Sequence, residues 1–389
     1  MTSFYLQILT RIRERNVVYT KKRLFMIDRS IDLNYVYGWN YNMLKFMGIW
    51  PEERKWNRPS SYHVLLPSIM MVCFACAPQT INLLLIAGDS NLVIENLSTN
   101  ITTTISLMKT MAVWMKALKF LLKCMVNDWN TTTNKAERET MVNIRRITRK
   151  TTIRSTLMAN IVLVAFLFAR LFSMRYSDNM LFYRGYFPYN TTVSPNFELT
   201  MVGQFVATFY AATTYTAVDT FVVLLIFHVC GQLSILRDDL RKIDTYDRKN
   251  IEMNLQKIVR KHEYINRFSY QVIMVRRKAY MYIVQKYQEI FSNKYIIFDY
   301  MILQLSFLLM YVVYVMLHLF LYCYMGEKLT STEIANTAYN AEWYNLPPKN
   351  ARWLVIIMCR ARYSPLKITA GRFCCFTLVL FSQVSVNGS

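Results

Sequence analysis

"VGQFVATFYAATTYTAVDTFVVLLIFHVC", Val202–Cys230, is 29 residues long and carries one charged side chain, Asp219. As a helix it reaches about 44 Å at about 1.5 Å per residue, more than the roughly 30 Å of a hydrocarbon core. The stretch reads as a membrane span. Three further apolar blocks, Val64–Ala87, Ser155–Met174 and Tyr300–Met325, repeat the signal. Hydrophobic residues are 54% of the 389-residue chain and gather in these blocks instead of recurring at helix or strand periods. The composition therefore predicts an all-α membrane protein.

The net charge of +22 is spread between the blocks. Lys and Arg in such positions orient a polytopic chain and do not point to a nucleic-acid partner. The first 60 residues hold 11 Lys/Arg and no cleavable apolar core, which predicts an intracellular N-terminus without a signal peptide. The eight cysteines all fall in spans or in segments placed inside, so no disulfide framework is expected. Cys73 and Cys76 form a CxxC within a span and lack a second pair, so neither a metal nor any other cofactor is expected there.

The same charge rule assigns the loops. Gly88–Thr102 has no Lys or Arg and is placed outside, where Asn96 and Asn100 open two glycosylation sequons. Arg175–Met201, with two Arg, is also outside and offers a third sequon at Asn190. Asn127–Arg154 and Gly231–Lys286 carry seven and 13 Lys/Arg and are inside, which makes the sequon at Asn130 a chance match. The second span is weak: its best window, Asn100–Leu118, contains Lys109. Gly326–Arg372 also reads as inside, so the count needs a fifth crossing. Its two candidate positions, Tyr264–Gln285 and Tyr287–Leu305, both contain charges that are costly at a bilayer centre. The final apolar run, Phe373–Val386, covers only about 21 Å and is expected to be a shortened seventh helix. Four segments follow: 1–63 cytoplasmic, 64–325 helices one to six, 326–372 a cytoplasmic anchor, and 373–389 the start of a seventh helix.

No GxGxxG, P-loop, GxSxG or HExxH is present, so the residues point away from an enzyme. Two stretches are more specific. One is "VDTFVVLLIFHVCGQLSIL", Val218–Leu236. The other is "YNAEWYNLPPKNARWLVIIMCRARYSPLKITAGRFC", Tyr339–Cys374. With "LFLYCYMGEKL", Leu319–Leu329, and "YVYGWNYNMLKFMGIWP", Tyr35–Pro51, they resemble the insect odorant receptors. That family's pattern has HxCGQL ending helix four, LFLYCxxGE ending helix six, and WYNLPP followed by TAGxF before helix seven. An aspartate usually precedes its WY, where this chain has Glu342.

The resemblance implies a seven-transmembrane-helix insect chemoreceptor channel fold with an intracellular N-terminus, helix five poorly defined and helix seven truncated. It implies an odorant-tuned subunit that joins a co-receptor subunit in a hetero-tetrameric, ligand-gated cation channel. Such a subunit sits in the plasma membrane of olfactory sensory neurons and binds a small volatile odorant. The implied pocket lies in the outer halves of helices two, three, four and six. Aromatic and hydroxyl side chains there suit such a ligand: Phe166, Phe168 and Phe172 in the third span, and Phe205, Phe209, Tyr210, Thr213 and Tyr215 in the fourth. Phe205, Phe209 and Thr213 share a helix face by spacing. The aromatic loop "LFYRGYFPY", Leu181–Tyr189, reads either as a lid on that pocket or as an interfacial belt. His228, Gln232, Trp343, Tyr344 and Pro347 are the candidate anchor and subunit contacts.

Two other functions compete with this one. A seven-helix G-protein-coupled receptor is disfavoured by the inward N-terminus and by the lack of Asp-Arg-Tyr and NPxxY. A non-conducting, truncated receptor product is the other reading, suggested by the short seventh helix. Asp219 is the one acid in its span and lies about 25 Å below the outer start of that helix, near a hydrated inner edge. Arg170 is expected to snorkel to the outer surface.

Overall fold

A computed structural model describes residues 36–50, 62–86, 90–114, 117–174, 181–243, 250–291 and 332–363, and the pairs 369–370 and 374–375. The expected span Tyr300–Met325, the Leu319–Leu329 motif and residues 376–389 lie outside the described residues. The elements in order are α1 (Trp39–Phe46), α2 (Leu65–Leu85), α3 (Ser90–Trp114), α4 (Ala117–Thr131), α5 (Lys135–Met174), α6 (Asn196–Arg241), α7 (Ile251–Phe291), α8 (Thr332–Asn340) and α9 (Pro348–Tyr363). A two-residue antiparallel ladder pairs β1 (Thr369–Ala370) with β2 (Cys374–Cys375).

Among the described residues, α2, α5 and α6 contain windows long and apolar enough to cross a membrane. These match three of the four blocks seen in the sequence. The window of α6 is 89% buried against 17% for that of α5, so α6 is the central helix and α5 lies at the edge. Helix α6 touches α1, α2, α3, α5, α7 and α8. At 46 residues it is about 69 Å long. More than half of it therefore extends beyond a bilayer core.

The apolar core gathers around the inner end of α6. Phe221, Leu225 and Leu236 of α6 meet Leu121, Met125 and Trp129 of α4, Leu255, Ile258 and Phe268 of α7, Ile334 of α8, and Leu354 and Ile357 of α9. The segment before α2 docks on the same core. Gly48 takes φ +68, and a Cβ there would lie 2.5 Å from the Val64 nitrogen. The turn presses Trp50 edge-on against Tyr37, Tyr41 and Phe221. Asn40 of α1 ties two helices at one height: it donates to Thr152 of α5 (3.1 Å) and accepts from Thr220 of α6 (2.9 Å). The basic-to-apolar switch of α5 follows at Arg154, so the inner membrane boundary falls near Thr220. The stretch of α6 outside it, from Asn196 to Ala217, spans about 32 Å, one hydrocarbon thickness.

The sequence reading and the structure differ in the second span. The segment assigned as the outer loop Gly88–Thr102 is helical from Ser90 onward. Its polar residues bond within the protein, so a hydropathy window undervalues it. In the first half of α7, Tyr264, Ile265, Phe268 and Val272 pack in the inner core, while Arg267 and Tyr270 are exposed. Glu342 sits in the left-handed region (φ 41), which Asp and Asn tolerate better than Glu. Its carboxylate accepts from the Asn345 amide at 3.0 Å and holds the WYN turn.

Candidate functional site

The outer half of α6 is built to receive the loop that precedes it. Gln204 accepts from the backbone N–H of Tyr183 (3.2 Å) and donates to the Tyr183 carbonyl (3.0 Å). The Tyr183 hydroxyl bonds Thr208 at 2.9 Å, and its ring stacks on Phe166 of α5 at 6.1 Å. The carbonyl of Phe182 accepts from Arg170 Nε at 2.9 Å, and the Phe182 ring leans on Phe205. Arg170 therefore turns inward to the loop instead of snorkelling outward. On the far side, Asn96 of α3 donates to the Arg184 carbonyl (3.1 Å), and the Tyr186 N–H donates to the Pro78 carbonyl of α2 (3.0 Å). Phe182 and Tyr183 are buried while Tyr186 and Tyr189 are exposed. The loop is thus a plug between α2, α3, α5 and α6, with an interfacial rim.

The helices around the plug meet through small and polar groups. Gly203 lies directly under the Phe74 ring, and a Cβ there would overlap it. Phe74 belongs to a π-helical segment, Val72–Cys76, just before Pro78. Pro78 has no N–H to donate to the Phe74 carbonyl, so the helix is easily widened there. Gln79 bonds Thr99 (2.9 Å), and Asn100 donates to Thr80 (2.9 Å) and accepts from Thr104 (3.1 Å). Asn96 and Asn100, where glycosylation is expected from the sequence, are buried with their amide nitrogens engaged within the bundle. Asn190 is exposed, and its Oδ1 accepts from both the N–H and the hydroxyl of Thr192.

The remaining ligand candidates separate into groups. Phe205, Phe209 and Thr213 do share the less buried face of α6. Phe209 packs edge-on against Tyr210. Phe168 and Phe172 are exposed on the outward face of α5 and do not join Phe166 at the plug. The Tyr215 ring carries the Lys109 ammonium 3.2 Å from its centroid. That ammonium also pairs with Asp219 at 2.8 Å, with both side chains almost fully buried. Asp219 stands at the height of the inner boundary, as expected, but it is sealed inside the protein and not hydrated. The partner, 110 residues away, is the lysine that weakened the second span.

A second polar centre lies in the inner core. Asp128 of α4 accepts from the Tyr264 hydroxyl (2.9 Å) and pairs with His228 Nε2 (2.8 Å). Burial and the nearby Asp128 carboxylate push the Tyr264 phenol far up, so it stays a donor. His262 is also buried there; burial, with the neighbouring Arg360 cation, lowers its pKa to about 4. Asp128 and Tyr264 carry no signature in the sequence. Of the anchor candidates, His228 and Gln232 are buried within this core, and Trp343 is half-buried against it. Tyr344 and Pro347 are exposed.

A helical bundle with helices long and apolar enough to cross a membrane, an aromatic plug over one end and a packed core at the other has the build of a multi-pass membrane protein. The family model described as 7tm Odorant receptor matches residues 89–387, and the chain belongs to that family. Membership makes it a receptor of odorant detection and not an enzyme. The insect olfactory receptor OR5 from Machilis hrabei shares the fold, with a TM-score of 0.71 and 16% identity over 90% of this chain and 94% of that one. The same receptor in complex with eugenol aligns with a TM-score of 0.67 and 15% identity, covering 91% and 96%. No curated protein matches the chain.

Proposed function

We propose that this chain is the odorant-binding subunit of a heteromeric ligand-gated cation channel in the plasma membrane of olfactory sensory neurons. Its partner in this reading is a co-receptor subunit, and its ligand is a small volatile molecule. The observation that carries the ligand site is the plug: Tyr183 held by Gln204 and Thr208 against Phe166. Aromatic faces beside a few hydroxyls suit a compact ligand with one polar group, and eugenol, held by OR5 in its complex, is a ligand of that kind. Phe166, Phe205, Phe209, Tyr210, Thr213 and Tyr215 surround the same outer half. Tyr344 and Pro347, exposed on the inner side, are the residues offered to a neighbouring subunit. Asn190 is the glycan acceptor on the outer side.

Expression with the co-receptor in a voltage-clamped cell tests this reading. A panel of volatile alcohols, esters and phenols should evoke a cation current above that of the co-receptor alone. Tyr183→Ala and Phe166→Ala should shift the half-maximal concentration without removing the chain from the surface. A surface-delivered chain that adds no odorant-evoked current sinks the proposal.

A further inference from the structure

One face of α5 is exposed from end to end and changes character once along its length. Arg146, Arg149, Lys150 and Arg154 lie on it, followed by Leu157, Ile161, Val164, Phe168 and Phe172. Apart from the adjacent Arg149 and Lys150, steps of three and four residues keep them in a single stripe. The five apolar residues are 50–69% exposed. None of the four basic residues is paired with a carboxylate among the described residues; Arg146 donates only to Asn143, on its own helix. The change from basic to apolar falls between Arg154 and Leu157. The Thr152–Asn40–Thr220 tie carries that height across to α1 and α6.

We propose that this stripe is a docking surface for anionic phospholipids of the inner leaflet. Arg146, Arg149, Lys150 and Arg154 bind the headgroups, and Leu157 to Phe172 hold the acyl chains. The basic part extends about 12 Å and the apolar part about 22 Å along the helix. The second length exceeds the roughly 15 Å of one hydrocarbon leaflet, so a lipid held by its headgroup has an apolar track along the whole of its acyl chains. Four cations at a membrane surface favour anionic headgroups strongly. The stripe also accounts for Phe168 and Phe172, which stand apart from the plug: they face lipid. Neither the odorant nor the co-receptor is needed for this inference.

The test uses the full chain reconstituted in phosphatidylcholine bilayers with trace spin-labelled phosphatidylserine or phosphatidylcholine. The boundary signal should favour phosphatidylserine by at least about threefold at low salt. The preference should fall towards equality at about 1 M salt. It should also fall in the variant Arg146→Gln/Arg149→Gln/Lys150→Gln/Arg154→Gln. If that variant does not fold, Arg149→Gln/Arg154→Gln with the wild-type salt titration replaces it. A preference that survives these changes overturns the proposal. So does one lost instead in Arg352→Gln/Arg360→Gln/Arg362→Gln on α9. An unchanged lipid preference with loss of oligomer mass would make the stripe a contact between copies, which also overturns it.

Discussion

The two halves of α6 bury different chemistry. From Asn196 to Ala217 the buried residues are Thr200, Gly203, Gln204, Ala207, Thr208, Ala211, Thr214, Thr216 and Ala217. From Val218 to Leu240 they are chiefly Phe, Val, Leu and Ile. The solvent outside each half explains the contrast. In lipid there is no hydrophobic gain from joining apolar faces, so helices associate through close approach of small residues and through hydrogen bonds. In water, burying Phe221 or Leu225 contributes about 1.5–3 kcal/mol each. The outer half is therefore held by specific polar contacts, and the inner half by apolar bulk. Asp219 lies at the junction, tied to Lys109.

The junction is where the comparison breaks most readily. Lys109→Met or Asp219→Asn leaves one buried charge without its partner and should cost about 3–5 kcal/mol. Most of the chain should then be retained inside the cell, as read by surface labelling. Lys109→Met with Asp219→Leu should recover much of that loss. Equal effects of single and double variants would show that the pair is not coupled.

Phe221→Ala tests the inner half. It should cost about 3–4 kcal/mol by cavity formation under Trp50 and lower the melting temperature of the detergent-solubilised chain, with little change in odorant sensitivity of whatever reaches the surface.

The inner half should also be the acid-sensitive one. Unfolded His262 protonates near pH 6.5, but folded His262 does so only near 4. Its contribution is complete above pH 6.5 and is lost as pH falls from 6.5 through 4, amounting to at most about 3 kcal/mol. Melting curves across this window should steepen the fall for wild type relative to His262→Asn.

Thr208→Val is the mildest change. It removes one hydroxyl from Tyr183 and should cost about 1 kcal/mol. Its main effect should be a change of about two- to tenfold in half-maximal odorant concentration. A large stability loss with no change in sensitivity would reverse the division between the halves.

Much of this fold was legible in the sequence. Three of the four apolar blocks appear where the hydropathy placed them, because a span's signal is local. The second span was faint because Lys109 looks prohibitive until Asp219, 110 residues later, is beside it. Asn96, Asn100 and Thr99 likewise read as an outer loop, since their partners lie on α2 and the plug. The loop Leu181–Tyr189 stood out by its aromatics, yet the residues that seat it, Gln204 and Thr208, are ordinary polar interruptions in an apolar run. His228 stands out in the sequence as an anchor candidate, but Asp128, which pairs with it, and Tyr264, which bonds Asp128, are separated from it by 100 and 36 positions. Periodicity reports what one helix offers; it does not report which helix answers.

The unbroken length of α6 has a mechanical consequence. A helix of about 69 Å behaves nearly as a stiff lever, because sharp bends require a specific cause such as proline or a bulge, and α6 contains neither after Asn196. A tilt of about 2° at the plug end displaces the far end by about 2.4 Å. That distance is close to the scale of the side-chain packing there, so a small adjustment around the plug arrives among α4, α7 and α9 as a change of fit.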